Sequence, residues 1–216
     1  DRLAEITGRK DYAPGDWIVD AFSVSSPTMT PLIAGDAYAV IIQQLVLDTL
    51  ATRDPQTLEW LPLVATEWIA SADGLSFTFT IREGVRFSDG EALTAADVEF
   101  TYRFLMDSKI AAPRQRAYFN RIESVQASGN KVTFQMNEPY FESFEIIAQM
   151  PILAEHVYGR YLESIAESEV FNSSTNLLFG SGPYRMANVN DWLPGQMIEL
   201  VPNERYWGVL PGTFSK

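Results

Sequence analysis

Six residues, Ser76-Phe77-Thr78-Phe79-Thr80-Ile81, alternate strictly between polar and apolar. Side chains on a strand point alternately to its two faces, so Phe77, Phe79 and Ile81 are predicted to share one face and Ser76, Thr78 and Thr80 the other. Such a strand has one dry and one wet side and belongs to an antiparallel sheet. Asp73-Gly74 supplies the turn before it. Val85 and Phe87 continue the alternation, and Ser88-Asp89-Gly90 closes it. A second period-two segment, Lys131–Met136, is joined to Ile122–Ala127 through Ser128-Gly129-Asn130 and reads as another hairpin.

Helical signals surround these hairpins. Asp36 is placed to cap a helix running to about Leu50, with Val40, Gln44 and Leu47 on one face and Tyr38, Ile41, Ile42 and Leu45 on another. Thr94-Ala95-Ala96-Asp97 resembles a capping box with Asp in the place of Glu, and opens a helix whose stripe is Val98, Tyr102 and Leu105. Further helices are predicted at Tyr140–Gln149 and Ala154–Glu167, followed by an irregular stretch over Asn172–Asn176. A last hairpin is predicted with arms Tyr184–Val189 and Gln196–Val201. Trp17–Phe22 reads as a buried strand, and Ser23–Pro31, with Pro27 and Pro31, as a loop. The fold class is therefore α+β. Residues 50–149 are predicted to form a hairpin-rich subdomain inserted into a domain built from 1–49 and 150–216.

Surface scaling for 216 residues leaves about 10,000 Å² exposed of roughly 35,000 Å² in the open chain, enough for one large or two small domains. Lys and Arg number 16 against 28 Asp and Glu, a net charge of −12, which disfavours nucleic acid as a partner. The absence of cysteine removes disulfides, thiolate zinc sites and cysteine nucleophiles. The longest apolar stretch, Ala37–Leu50, is broken by Gln43, Gln44 and Asp48 and is too short to cross a bilayer. The chain opens on Asp1 rather than Met, as expected of a processed or trimmed start.

No catalytic constellation stands out. The single histidine, His156, reads as structural near a helix start, and Ser181 lacks the G-x-S-x-G spacing of a nucleophile elbow. Asp73 and Asp89 precede glycine, which is turn chemistry, and no D-x-D-x-D-G loop is present. No phosphate-binding G-x-x-x-x-G-K-[ST] loop occurs. A carboxylate pair of a secreted hydrolase remains the alternative, because such a pair is defined in space.

Two linked segments carry a resemblance. The first is Leu63-Val-Ala-Thr-Glu-Trp68, Ala72–Phe79, Ile81–Gly90 and Leu93–Val98. The second is Gly180-Ser181-Gly182-Pro183-Tyr184, then Trp192, Pro194-Gly195 and Asn203-Glu204-Arg205-Tyr206-Trp207. Together they resemble the extracytoplasmic solute-binding proteins, family 5, that serve ABC importers of oligopeptides, dipeptides and nickel. The resemblance spans about Trp17 to Trp207. Departures are Ala154-Glu155-His156 where the family often has Pro-Lys-His, and Met29-Thr30-Pro31 where it usually has Leu-Asp-Pro.

The resemblance implies a periplasmic binding protein-like fold of the class with an extra inserted domain, closing two lobes over a cleft. This chain would hold most of the first lobe, discontinuous and incomplete, and its insert, with the second lobe absent, as a truncated fragment. It implies capture of a peptide-like solute and delivery to a membrane permease, with no catalysis and no cofactor. The location would be periplasmic or extracellular, lipid-anchored in the full-length protein. Ser25, Ser26 and Thr28 of the first loop and Tyr118 of the insert are the residues expected to line the ligand. Asp73-Gly74, Asp89-Gly90 and Thr94–Asp97 are expected to build the scaffold instead.

Overall fold

The computed structural model describes residue 20, residues 25–188 and residues 192–208. The strand predicted at Trp17–Phe22 lies outside these apart from Asp20, as does Val189 of the last hairpin.

Helix α1 (Ala37–Val46) begins where Asp36 accepts the Ala39 N–H at 2.9 Å. It ends four residues before Leu50, because Leu47 turns extended so that Leu47, Asp48 and Leu50 all enter the core. Its dry face is Ala39, Ile42 and Val46, while Val40 and Ile41 are exposed, so neither predicted stripe is the buried one. A short hairpin follows, β1 (Ala51–Arg53) with β2 (Trp60–Pro62).

The central sheet is antiparallel, in the order β3 (Ala65–Ala70), β4 (Ser76–Ile81), β6 (Lys131–Met136), β5 (Ile122–Ser128). The predicted alternation in β4 is realised residue for residue. Phe77, Phe79 and Ile81 are buried, and Phe79 lies opposite Val132 with its ring 5.8 Å from that of Phe134. On the wet face the hydroxyls of Thr78 and Thr133 bond each other at 2.9 Å. Ser128 pairs with Lys131, leaving Gly129-Asn130 as the turn, and Gly129 takes a left-handed φ of +60°.

Helix α2 (Ala95–Met106) packs on β5 and β6 with one side and on the later helices with the other. Phe104 is the joint: its ring lies 5.0 Å from Phe171 and 6.2 Å from Tyr158. Asp97 Oδ2 accepts the backbone N–H of Thr94 at 2.8 Å, the carboxylate half of the predicted capping box, and the Thr94 hydroxyl as well at 3.0 Å. Helix α3 (Pro113–Phe119) follows. Helix α4 (Ser143–Ala148) is shorter than the predicted Tyr140–Gln149.

The single helix predicted over Ala154–Glu167 is three pieces: α5 (Glu155–Tyr158), a 3₁₀ turn (Gly159–Leu162) and α6 (Ile165–Ser173). Ser164 is extended at φ −150° and its hydroxyl accepts the Glu167 N–H at 3.1 Å, which starts a new helix inside the expected one. Asn172 and Ser173, predicted irregular, close α6. Asn172 is fixed there by accepting the Ala111 N–H at 2.7 Å and donating to the Lys109 carbonyl at 2.8 Å. The last hairpin pairs β7 (Tyr184–Met186) with β8 (Leu200–Pro202). One apolar cluster runs from Met29 through the sheet and α2 to Trp192. Among the described residues no helix is long and apolar enough to cross a membrane.

Candidate functional site

The loop before α1 is fastened at nearly every residue. Ser26 is buried and its hydroxyl donates to Asp36 Oδ2 at 2.5 Å. Thr28 donates through Oγ1 to the Ser174 carbonyl at 3.1 Å and accepts the Thr30 N–H at 3.0 Å. Thr30 Oγ1 reaches the same Ser174 carbonyl at 2.8 Å, and Met29 N–H bonds Thr175 O at 2.7 Å. From α1, the Gln43 amide donates to the carbonyls of Met29 and Thr30, each at 3.3 Å. Burial raises the Asp36 carboxyl, but hydrogen bonds from Ser26 and from the Ala39 and Tyr38 N–H groups outweigh it and hold the group below its ordinary value.

Of the four residues expected to line a ligand, Ser25, Ser26 and Thr28 therefore share one loop, yet only Ser25 is exposed. The hydroxyls of Ser26 and Thr28 are already engaged within the chain. Tyr118 stands on α3, 57% exposed. It lies one helical turn after Arg114, whose guanidinium donates to the Gly35 carbonyl at 3.2 Å, so that face of α3 adjoins the end of the loop. Asp36, predicted from the sequence as a helix cap, also holds this loop, as do Gln43 and Ser174, which no sequence pattern marks. The polar residue at the cap, ten positions after Ser26, was the available signal.

The motif residues are elsewhere, in a buried joint. Asp48 is 3% exposed, and its Oδ2 accepts the Ser181 hydroxyl and the Trp207 indole N–H, both at 3.0 Å. Burial pushes the Asp48 carboxyl up, against these two bonds. The Tyr206 hydroxyl is pushed up to about 12 by burial and by the Asp48 charge. Gly182 N–H bonds the Val46 carbonyl at 2.9 Å, which would otherwise be an orphan acceptor at the end of α1. Asn203, also buried, donates to the Gly182 carbonyl at 2.9 Å and accepts the Arg205 N–H at 3.1 Å.

A second joint links the 88–90 turn to α5 and β8. His156 Nε2 lies 2.7 Å from Asp89 Oδ2, and Arg205 donates to the Ser88 carbonyl at 3.0 Å. A cavity of about 330 Å³ opens beside it, lined by Ser88, Asp89, Phe179, Met186, Glu204 and Arg205 among others, and none of the four expected residues lines it. Asp73 and Asp89 behave as turn residues, accepting the N–H groups of Leu75 and Glu91, each at 3.0 Å.

The fold is shared with solved solute-binding proteins. The oligopeptide-binding protein AppA of Bacillus subtilis, in complex with a nonapeptide, superposes with a TM-score of 0.72 at 28% identity, over 85% of this chain and 36% of that one. The periplasmic binding protein DppA of Helicobacter pylori superposes with a TM-score of 0.70 at 23% identity, over 86% of this chain and 39% of the other. In sequence the chain is 35% identical to protein XP55 of Streptomyces lividans over 190 residues, 87% of this chain and 32% of XP55. The chain thus spans about a third of the length of the relatives it matches. The model of bacterial extracellular solute-binding proteins, family 5, middle region, matches residues 59–213. With more than half its length inside that model, the chain belongs to solute-binding protein family 5.

Proposed function

We propose that this chain contributes the first lobe, with residues 50–149 as its insert, of a receptor that captures a peptide-like solute and hands it to the permease of an ABC importer. The observation that carries the reading is the likeness to AppA, whose structure holds a nonapeptide. Family relatives are binding proteins. The work is capture and release outside the cytoplasmic membrane, from the periplasm or from a lipid anchor, with no bond made or broken in the solute.

Within this reading, Ser25, Ser26 and Thr28 form one wall of the cleft, with Tyr118 beside it. Tyr118 makes no ring contact to another aromatic among the described residues and offers an apolar face to a bound side chain. Ser26 and Thr28 contribute shape and backbone more than free hydroxyls, since those are spent on Asp36 and Ser174.

Enclosure normally covers most of a ligand, so a single wall holds it weakly. Native mass spectrometry with a random nonapeptide library is expected to find little retained by the 216-residue chain and stoichiometric capture by the longest natural polypeptide carrying it. Absence of capture by that polypeptide, or turnover of peptide or glycoside substrates lost with one Asp or Glu substitution, overturns the proposal.

A further inference from the structure

We propose that Asp36 is a positioning residue for solute capture, setting the shape of the 25–30 loop while capping α1. The inference rests on the reading of that loop as one wall of the cleft.

The two oxygens of Asp36 do separate jobs. Oδ1 accepts the Ala39 N–H at 2.9 Å and fixes the first turn of α1. Oδ2 accepts the Ser26 hydroxyl at 2.5 Å, across ten residues of chain. One side chain therefore joins the start of the helix to the anchor of the loop. Gln43, two turns along the same helix, reaches back to the Met29 and Thr30 carbonyls and holds the other end. Loops that contact ligands are ordinarily mobile, and ordering one on binding costs affinity. Here the order is supplied beforehand by a rigid element.

The two jobs can be separated by substitution. Asp36→Ser retains a hydroxyl that caps the helix but is too short to reach Ser26 as well. Ser26→Ala keeps the cap and deletes the tether. Asp36→Asn restores both: its carbonyl caps α1, its N–H donates to Ser26 Oγ, and the Ser26 hydroxyl turns to the Thr28 carbonyl 3.3 Å away.

The experiment pairs hydrogen exchange of the 216-residue chain with titration of the longest natural polypeptide carrying it, using the best-retained member of the nonapeptide library. In Ser26→Ala and in Asp36→Ser, exchange at the Met29 and Thr30 amides is expected to rise about tenfold, the size of one hydrogen bond to a charged acceptor. The Ala39 amide should not change. Peptide Kd should rise by a similar factor in both, with the double variant no worse than either, and Asp36→Asn should stay within about twofold of the parent. Unchanged exchange in Ser26→Ala refutes the tether. Faster exchange with unaltered Kd refutes positioning while leaving capture itself intact, and loss of binding in the parent protein sinks the functional reading on which this one stands.

Discussion

Gly182→Ala is the sharpest test of what the Gly180-Ser181-Gly182 motif does. A Cβ at residue 182 would lie 2.7 Å from the Val46 carbonyl carbon and 2.8 Å from the Leu45 and Val46 oxygens. All three are backbone atoms, so no rotamer change relieves the contact. The chain must move away from α1, at the ~1–3 kcal/mol typical of overpacking. Moving it also breaks the 2.9 Å bond between Gly182 N–H and the Val46 carbonyl, and an unpaired buried group costs about 1–3 kcal/mol. The two overlap, since one displacement causes both, so about 3–4 kcal/mol is expected. For a domain with a typical stability of ~5–15 kcal/mol this is a large share. Urea unfolding followed by tryptophan fluorescence should show the midpoint falling by about 1–2 M with an unchanged slope. Gly129→Ala is the control. Its φ is +60° but nothing lies within 4 Å of the added methyl, so only backbone strain of about 1 kcal/mol should appear. If Gly182→Ala costs no more than Gly129→Ala, close approach is not why glycine stands there and the joint is wrongly described.

Four further substitutions test the packing and the buried carboxyl. Phe79→Ala removes a fully buried ring touching Phe134 and Trp68, and should cost about 3–5 kcal/mol in the same assay. Asp97→Ala strips the acceptor from the Thr94 N–H and, through Oδ1, from the Glu155 N–H at 3.1 Å, for about 2–3 kcal/mol. Glu155→Ala deletes only the exposed ion pair with Arg103, and should cost under about 1 kcal/mol. For Asp48→Asn the sign is set by burial. The folded-state carboxyl is raised, so between its ordinary value of 3.8 and the raised one the native state holds a proton that the unfolded state has lost, and stability falls as pH rises. The substitution should flatten that part of the pH–stability curve; an unaltered slope would refute the assignment.

The sequence made the central sheet legible because burial and strand period reinforce each other. Phe77, Phe79 and Ile81 face the core, and each is also a strong strand former. The β1–β2 hairpin was missed because strands of three residues carry no readable period. The break after Tyr158 had a sign that went unread. Ser164-Ile165-Ala166-Glu167 is itself a capping sequence, but the surrounding apolar spacing continues through it and masks it. α1 was overextended for a related reason: Leu47 and Leu50 are apolar at helical spacing, yet they are buried from an extended backbone. Of the proposed site, the loop and its residues are named by resemblance alone. Its fastening could not be read, since Ser26 to Asp36 spans ten residues and Thr28 to Ser174 spans 146.

Where the motif residues ended up bears on why the resemblance is so much clearer than the ligand. Gly182 seals the end of α1, Ser181 and Trp207 hold Asp48, Asn203 ties β8 to β7, and Asp97 fastens α2 to the start of α5. His156, one residue along, is held by Asp89 from the turn before α2. Each of these contacts joins segments far apart in the chain, and each demands a particular residue type: no Cβ, a buried acceptor, a carboxamide with both ends used. Chemistry of that kind tolerates little substitution whatever the solute. The loop at Ser25–Thr30 is held by the inward hydroxyls of Ser26, Thr28 and Thr30 and by the Gln43 amide, so the exposed Ser25 can change without loosening the frame. A scaffold that keeps specificity off its own joints can serve different solutes with one architecture. On the function proposed above, selection of the solute falls to residues such as Ser25 and Tyr118, which the frame leaves exposed, and not to the motifs that identify the family.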